Sequence, residues 1–181
     1  MHPQLQQIED ELADARARLH RLADAVPHAR WSERPAPGSW SVAECVEHLN
    51  LTSRAVLPPL REALGRARAL GGGAPERFRR GFIGGLIWRA SRPTTRMKSK
   101  TGAAFVPAST SPPAGLIAEF DRLQEETLQA LREADGLPLQ KVKIRSPFGP
   151  VSYNAFAALA ILSVHQLRHL RQAERAGEAV G

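Results

Sequence analysis

Residues 155–173 read AFAALAILSVHQLRHLRQA, and this stretch decides the fold. From Ala155 to Val164 it is almost wholly apolar, so a helix here is hydrophobic around its circumference and must be buried. His165 and His169 follow at i and i+4, about one turn apart on one face, where both imidazoles can reach one ion. Alone, H-x-x-x-H is a weak signal, equally compatible with two unrelated polar residues on a helix. Burial changes its weight: two buried neutral imidazoles need partners, and a metal supplies them. The helix is expected to run over roughly residues 153–176, with Gly177 at its end.

Working outward, three more stretches carry helical period. Leu5, Ile8, Leu12, Ala15, Leu19, Leu22 and Val26 alternate spacings of three and four along one face. After a Pro-rich linker, Ser41 and Glu44 have capping-box spacing. Val42, Cys45, Val46, Leu49 and Val56 then form the apolar face of a second helix. Pro58-Pro59 are expected to kink or interrupt it, because proline removes a donor and crowds the preceding turn. The pattern resumes through LREALGRARAL and stops at Gly71-Gly72-Gly73. A third helix starts after Ser111, with prolines in its first turn, and ends at Asp135-Gly136. Between the second and third lies the least regular segment, containing the apolar patch GFIGGLIWRA, read as a brief helix packed across the bundle. VKIRS could extend, but one such piece makes no sheet. Four amphipathic helices point to an all-α, up-down four-helix bundle with a long basic insertion at about residues 66–110.

Of six histidines, His2, His20 and His28 fall on the first helix or the linker and are expected at the solvated surface. His48 stands two turns into the second helix, among Val46 and Leu49 on one side and Glu47 and Asn50 on the other. A lone helical histidine is usually just a core or surface residue. Opposite a His pair it becomes the third candidate ligand, since bundle metal sites draw on facing helices.

These same residues carry a resemblance. PAPGSWSVAECVEHLNLTSRAVLPPL, followed far downstream by SPFGPVSYNAFAALAILSVHQLRHLRQAE, resembles the DinB/YfiT-like superfamily. That pattern is a Trp-Ser helix start leading to one His, then H-x-x-x-H followed by Gln. Here these are Trp40-Ser41, His48, His165, His169 and Gln172. The resemblance implies a DinB-like four-helix bundle, often dimeric, with a three-histidine metal site. It implies metal-dependent chemistry without fixing one reaction. Characterised relatives include thiol transferases and isomerases that use low-molecular-weight thiols, while others are presumed hydrolases. The Arg-rich insertion departs from the pattern.

The bulk composition fits one globular domain of 181 residues, with 43% hydrophobic and 24% charged. One cysteine excludes an internal disulfide framework. No signal-peptide pattern opens the chain and no stretch reaches the ~18 apolar residues of a span, so a cytoplasmic protein is expected. The net charge of +7 comes from 21 Arg and 4 Lys against 18 acids. It is concentrated between Arg54 and Lys100, which hold 12 basic and 2 acidic residues. The leading expectation for that segment is a solvated loop; contact with an acidic substrate or an anionic membrane is secondary. No nucleic-acid-reading motif is present.

Three neutral imidazoles leave open positions on an ion and suit zinc or nickel. Glu44 and Gln172 are weak candidates for supporting the ligands, with Glu47 and Asn50 also near in sequence; Glu44 already has a capping role. Cys45 is expected to be a small buried apolar residue, Trp40 a packing lid, and Arg168 solvated or ion-paired. The leading functional expectation is a metal-dependent transferase or hydrolase acting on a small molecule through water or a thiol. A non-catalytic metal- or ligand-binding stress-response bundle is the alternative, and a basic adaptor for nucleic acid or membrane ranks last.

Overall fold

The computed structural model describes residues 1–95, 101–108 and 111–180. Arg96, Lys98 and Lys100 of the basic segment lie outside the described residues. Among the described residues there are five helices: α1 (Pro3–Ala25), α2 (Val42–Leu70), α3 (Gly81–Ser91), α4 (Pro113–Glu133) and α5 (Ala155–Val180). Short 3-10 turns occur at His28–Arg30, Ala103–Phe105 and Leu139–Lys141.

The spacing read from the sequence becomes packing. Leu5, Ile8, Leu12, Ala15, Leu19 and Leu22 are the buried residues of α1. His2 does not stay at the solvated surface. Its Nδ1 accepts the Gln4 N–H at 3.1 Å to cap α1, and its ring packs edge-on against Phe78 at 4.6 Å. His20 instead meets Asp121 at the surface. Both halves of the capping box form at α2: Ser41 Oγ accepts from Glu44 N, and Ser41 N donates to Glu44 Oε2 at 2.8 Å.

Pro58-Pro59 do not interrupt the second helix, and α2 is one element of 29 residues. Pro58 is exposed and Pro59 half-buried, so the carbonyls that lose their donors lie toward solvent. Underneath, Val56, Leu57, Leu60, Ala63 and Leu64 stay buried and hold the helix in place.

Ion pairs reveal the helix directions. Arg54 meets Glu119, Arg61 meets Glu126 and Arg68 meets Glu133, a constant offset of 65 residues that requires α2 and α4 to run parallel. Arg18 with Glu174, and Ser163 with Glu11, likewise align α1 with α5. Val42 lies beside Gly177, so α2 and α5 are antiparallel. The sequence is therefore up-down-down-up: the first and last pairs alternate, and the central pair is parallel. Residues 71–112 are the long crossover this demands. They are not wholly irregular, since the GFIGGLIWRA patch forms α3, seated on α5 through Gly84. The basic segment is not simply a solvated loop either, because Arg54, Arg61 and Arg68 are paired helical residues.

VKIRS does find a strand partner. Lys143–Arg145 (β1) pairs antiparallel with Ser152–Asn154 (β2), placing buried Ile144 opposite buried Tyr153. β2 is too short and polar to announce itself by alternation. It also takes Tyr153 out of the last helix, which starts at Ala155. At the other end Gly177 does not stop α5. It lies within the helix because a Cβ there would come within 2.8 Å of Val26 and 3.1 Å of Leu22; the glycine serves close packing of α1. Among the described residues no helix is long and apolar enough to cross a membrane.

Candidate metal centre

Two antiparallel helices bring the three histidines together. His48 is buried on α2, while His165 and His169 are half-buried on α5. One nitrogen from each lies within 4.8 Å of the other two. The ring centroids are 5.1, 4.5 and 4.5 Å apart. No cysteine or carboxylate joins this cluster among the described residues.

Hydrogen bonding sets the proton positions. His48 Nδ1 is 2.8 Å from the Phe105 carbonyl, which can only accept, so Nδ1 carries the proton and the neutral ring presents a lone pair at Nε2. That Nε2 faces His165 Nε2 at 3.3 Å. Burial pushes His165 down to about 3, and the charges of His48 and Arg168 act in the same direction. Burial likewise holds His169 well below the ordinary imidazole range, against a smaller upward pull from Gln172. For His48 burial outweighs the Phe105 bond. All three therefore favour the neutral form, the one that ligates metals. Among the described residues His169 Nδ1 is buried without a hydrogen-bond partner, an arrangement that is costly unless something accepts its lone pair. Converging neutral imidazoles with an orphan nitrogen fit a divalent cation.

Trp40 covers the cluster, its ring 4.9 Å from that of His48 and 5.8 Å from that of His169. Beyond it opens a cavity of about 1580 Å³, whose walls include Leu86, Phe105, Phe148 and Tyr153 with Gln172 and three arginines of α5. Glu44 does not contribute to it. Burial raises its pKa, but bonds from Arg34 and Ser41 prevail and hold the carboxylate ionised. Glu47 and Asn50 do not line the cavity either, and Asn50 donates to the Leu116 carbonyl at 3.0 Å. Cys45 is fully buried, its thiol pushed up to about 12 by burial. Arg168 was expected to be solvated or ion-paired. It donates to the Ala90 carbonyl at 2.9 Å and also reaches the carbonyls of Arg92 and Thr95, tying α5 to the end of α3.

The sequence profile of the DinB superfamily matches residues 11–173. The chain belongs to the DinB superfamily. Among solved structures, this DinB chain is similar to YfiT from Bacillus subtilis, described as "a probable metal-dependent hydrolase with an unusual four-helix bundle topology". The TM-score is 0.59 over 96% of this chain and 86% of that one, at 14% identity; at that identity the likeness is one of fold. A comparison with curated proteins gives no significant match. The histidines that converge are His48 and the H-x-x-x-H pair of α5, all three within the matched residues. Sequence reasoning missed Phe105, whose contribution is a backbone carbonyl and leaves no mark in residue type.

Proposed function

We propose that this DinB chain is a metal-dependent enzyme, a hydrolase or a thiol-dependent transferase, with His48, His165 and His169 holding a divalent ion, zinc or nickel. The observation that carries the reading is the convergence of three neutral imidazoles, without a fourth protein ligand among the described residues, at the floor of a large cavity. A cation held by three imidazoles keeps open positions, where it supplies Lewis acidity or lowers the pKa of a bound water or thiol. The protein's own residues do the rest. Phe105 fixes the His48 tautomer, Trp40 shields the ligands from one side, and the packed α2–α5 pair keeps the three rings in place.

No Asp or Glu lines the cavity among the described residues. Glu44 is committed to Ser41 and Arg34, so the reading places no carboxylate base at the centre. With a cation held by the histidines, a proton given up by water or thiol would therefore pass to the substrate or to solvent.

Elemental analysis of purified protein, alongside single His48→Ala, His165→Ala and His169→Ala variants, tests the ligand set. The expected result is about one metal ion per chain, with occupancy collapsing in each variant. A folded wild-type chain that takes up no zinc or nickel would overturn the reading. Turnover of esters and amides, set against thiol addition to electrophiles, separates the two reaction classes.

A further inference from the structure

Most exposed arginines on the helices of this protein answer a carboxylate. Arg16 faces Asp121, Arg54 faces Glu119, Arg61 faces Glu126 and Arg122 faces Glu126. Arg171 and Arg175 depart from this habit. Both are exposed, both line the cavity above the three histidines, and neither has an acidic partner within salt-bridge distance among the described residues. They stand at i and i+4 on α5, where like charges are neighbours and repel. The nearest acid on this helix, Glu174, is turned away to Arg18. Arg168, also on the cavity wall, adds a third cation.

Part of the remaining wall is apolar and open to water. Leu86, Val106 and Phe148 line the cavity while being 56%, 48% and 45% exposed. Large hydrophobic side chains left open to water beside a cationic stripe describe a surface with two kinds of affinity. Arg171 and Arg175 line the same cavity as His48, His165 and His169.

From this juxtaposition we infer that the site takes an anionic amphiphile. Its carboxylate or phosphate group pairs with Arg171 and Arg175, its apolar body lies on Leu86, Val106 and Phe148, and its reacting group meets the histidine centre. The inference rests on the proposed function for the last clause only. Arginine recognises planar or tetrahedral oxyanions through paired N–H donors, which suits either head group.

Calorimetric titration with octanoate, octyl phosphate and octanol tests it, since the three share a chain and differ in head group. Each is titrated into zinc-loaded and chelator-treated protein of unchanged helicity, because an oxyanion could also bind zinc directly. At least one anion should bind both forms about tenfold tighter than octanol, and the tighter of the two identifies the head group. Arg171→Gln/Arg175→Gln should erase that margin with zinc stoichiometry unchanged. Arg54→Gln/Arg61→Gln, which removes equal charge elsewhere, should keep it. The proposal fails if octanol binds as well as the anions, if anions bind the zinc-loaded form alone, or if the Arg54/Arg61 variant loses as much. Anion binding that persists in a chain unable to hold zinc would sink the metal reading and leave this one standing.

Discussion

The His48 Nδ1–H donates to the Phe105 carbonyl across 2.8 Å, joining α2 to a turn 57 residues further along the chain. The bond selects the tautomer that points Nε2 at His165, so a crossover segment controls how a bundle histidine presents its lone pair. Phe105 is itself held by Phe148, with ring centroids 4.6 Å apart.

Phe105→Ala keeps the carbonyl but removes its anchor. Loss of such a supporting bond typically lowers metal affinity about 10–100-fold, and the lower end is expected because the acceptor survives. Competition against a chromophoric chelator measures the change. Wild-type affinity in the variant would mean that the turn stays in place without its ring.

Cys45 stands three residues before His48, close enough in sequence to invite a role at the metal. The structure directs it elsewhere, into a cluster with Ala15, Leu19 and Leu170. A thiol pushed up to about 12 is neutral at ordinary pH, and the neutral form is unreactive. Iodoacetamide at pH 8 should therefore leave the native protein essentially unmodified and label it promptly in urea. Fast native labelling, or protection that depends on added zinc, would place the thiol at the centre instead.

Much of this was legible in residue spacing. The three- and four-residue rhythm of α1, the capping box at Ser41 and the His165/His169 pair all depend on local geometry, and each appears where its pattern put it. What escaped was set by contacts distant in sequence. Pro58 and Pro59 look like breakers until their outward placement is known. Gly177 looks like a stop until the α1 side chains above it are seen. The parallel run of α2 and α4 has no local signature; only the repeated Arg–Glu offset across the two helices exposes it. At the site, Glu44 is a weak candidate by sequence, and Arg34, ten residues earlier, engages its carboxylate.

The α2–α4 ladder makes a pH-dependent prediction. Glu119 is held at about 2, chiefly by its bond to Arg122 and further by Arg54. Its folded pKa is below the unfolded value of 4.5, so the stabilisation is present above that value and lost as pH falls from 4.5 toward 2. Because these side chains are partly solvated, the contribution should be at most about 1 kcal/mol and should shrink in salt. Urea midpoints at pH 5 and pH 3 measure it. Glu119→Gln should lose less stability across that interval than wild type; equal losses would assign the acid sensitivity to other carboxylates.

Gly84 is the contact through which α3 sits on α5, and its neighbour supplies an internal control. A Cβ at Gly84 would lie 2.5 Å from the Ala157 Cβ and 3.4 Å from that of Tyr153, while one at Gly85 meets nothing within 4 Å. Alanine is the better helix former by about 1 kcal/mol at either position, so propensity alone predicts that both substitutions stabilise. At Gly84 the clash is between two Cβ atoms fixed to backbone, which no rotamer change relieves; α3 must lift, at a cost of about 1–3 kcal/mol. Gly85→Ala should thus raise the Tm slightly and Gly84→Ala should lower it by several degrees. Lifting α3 would also move Leu86 and Ile87, which line the cavity, so ligand binding should weaken in Gly84→Ala and hold in Gly85→Ala. Pairing Gly84→Ala with Ala157→Gly removes the clash from the other side and should restore both readouts, an outcome that general damage to α3 could not produce.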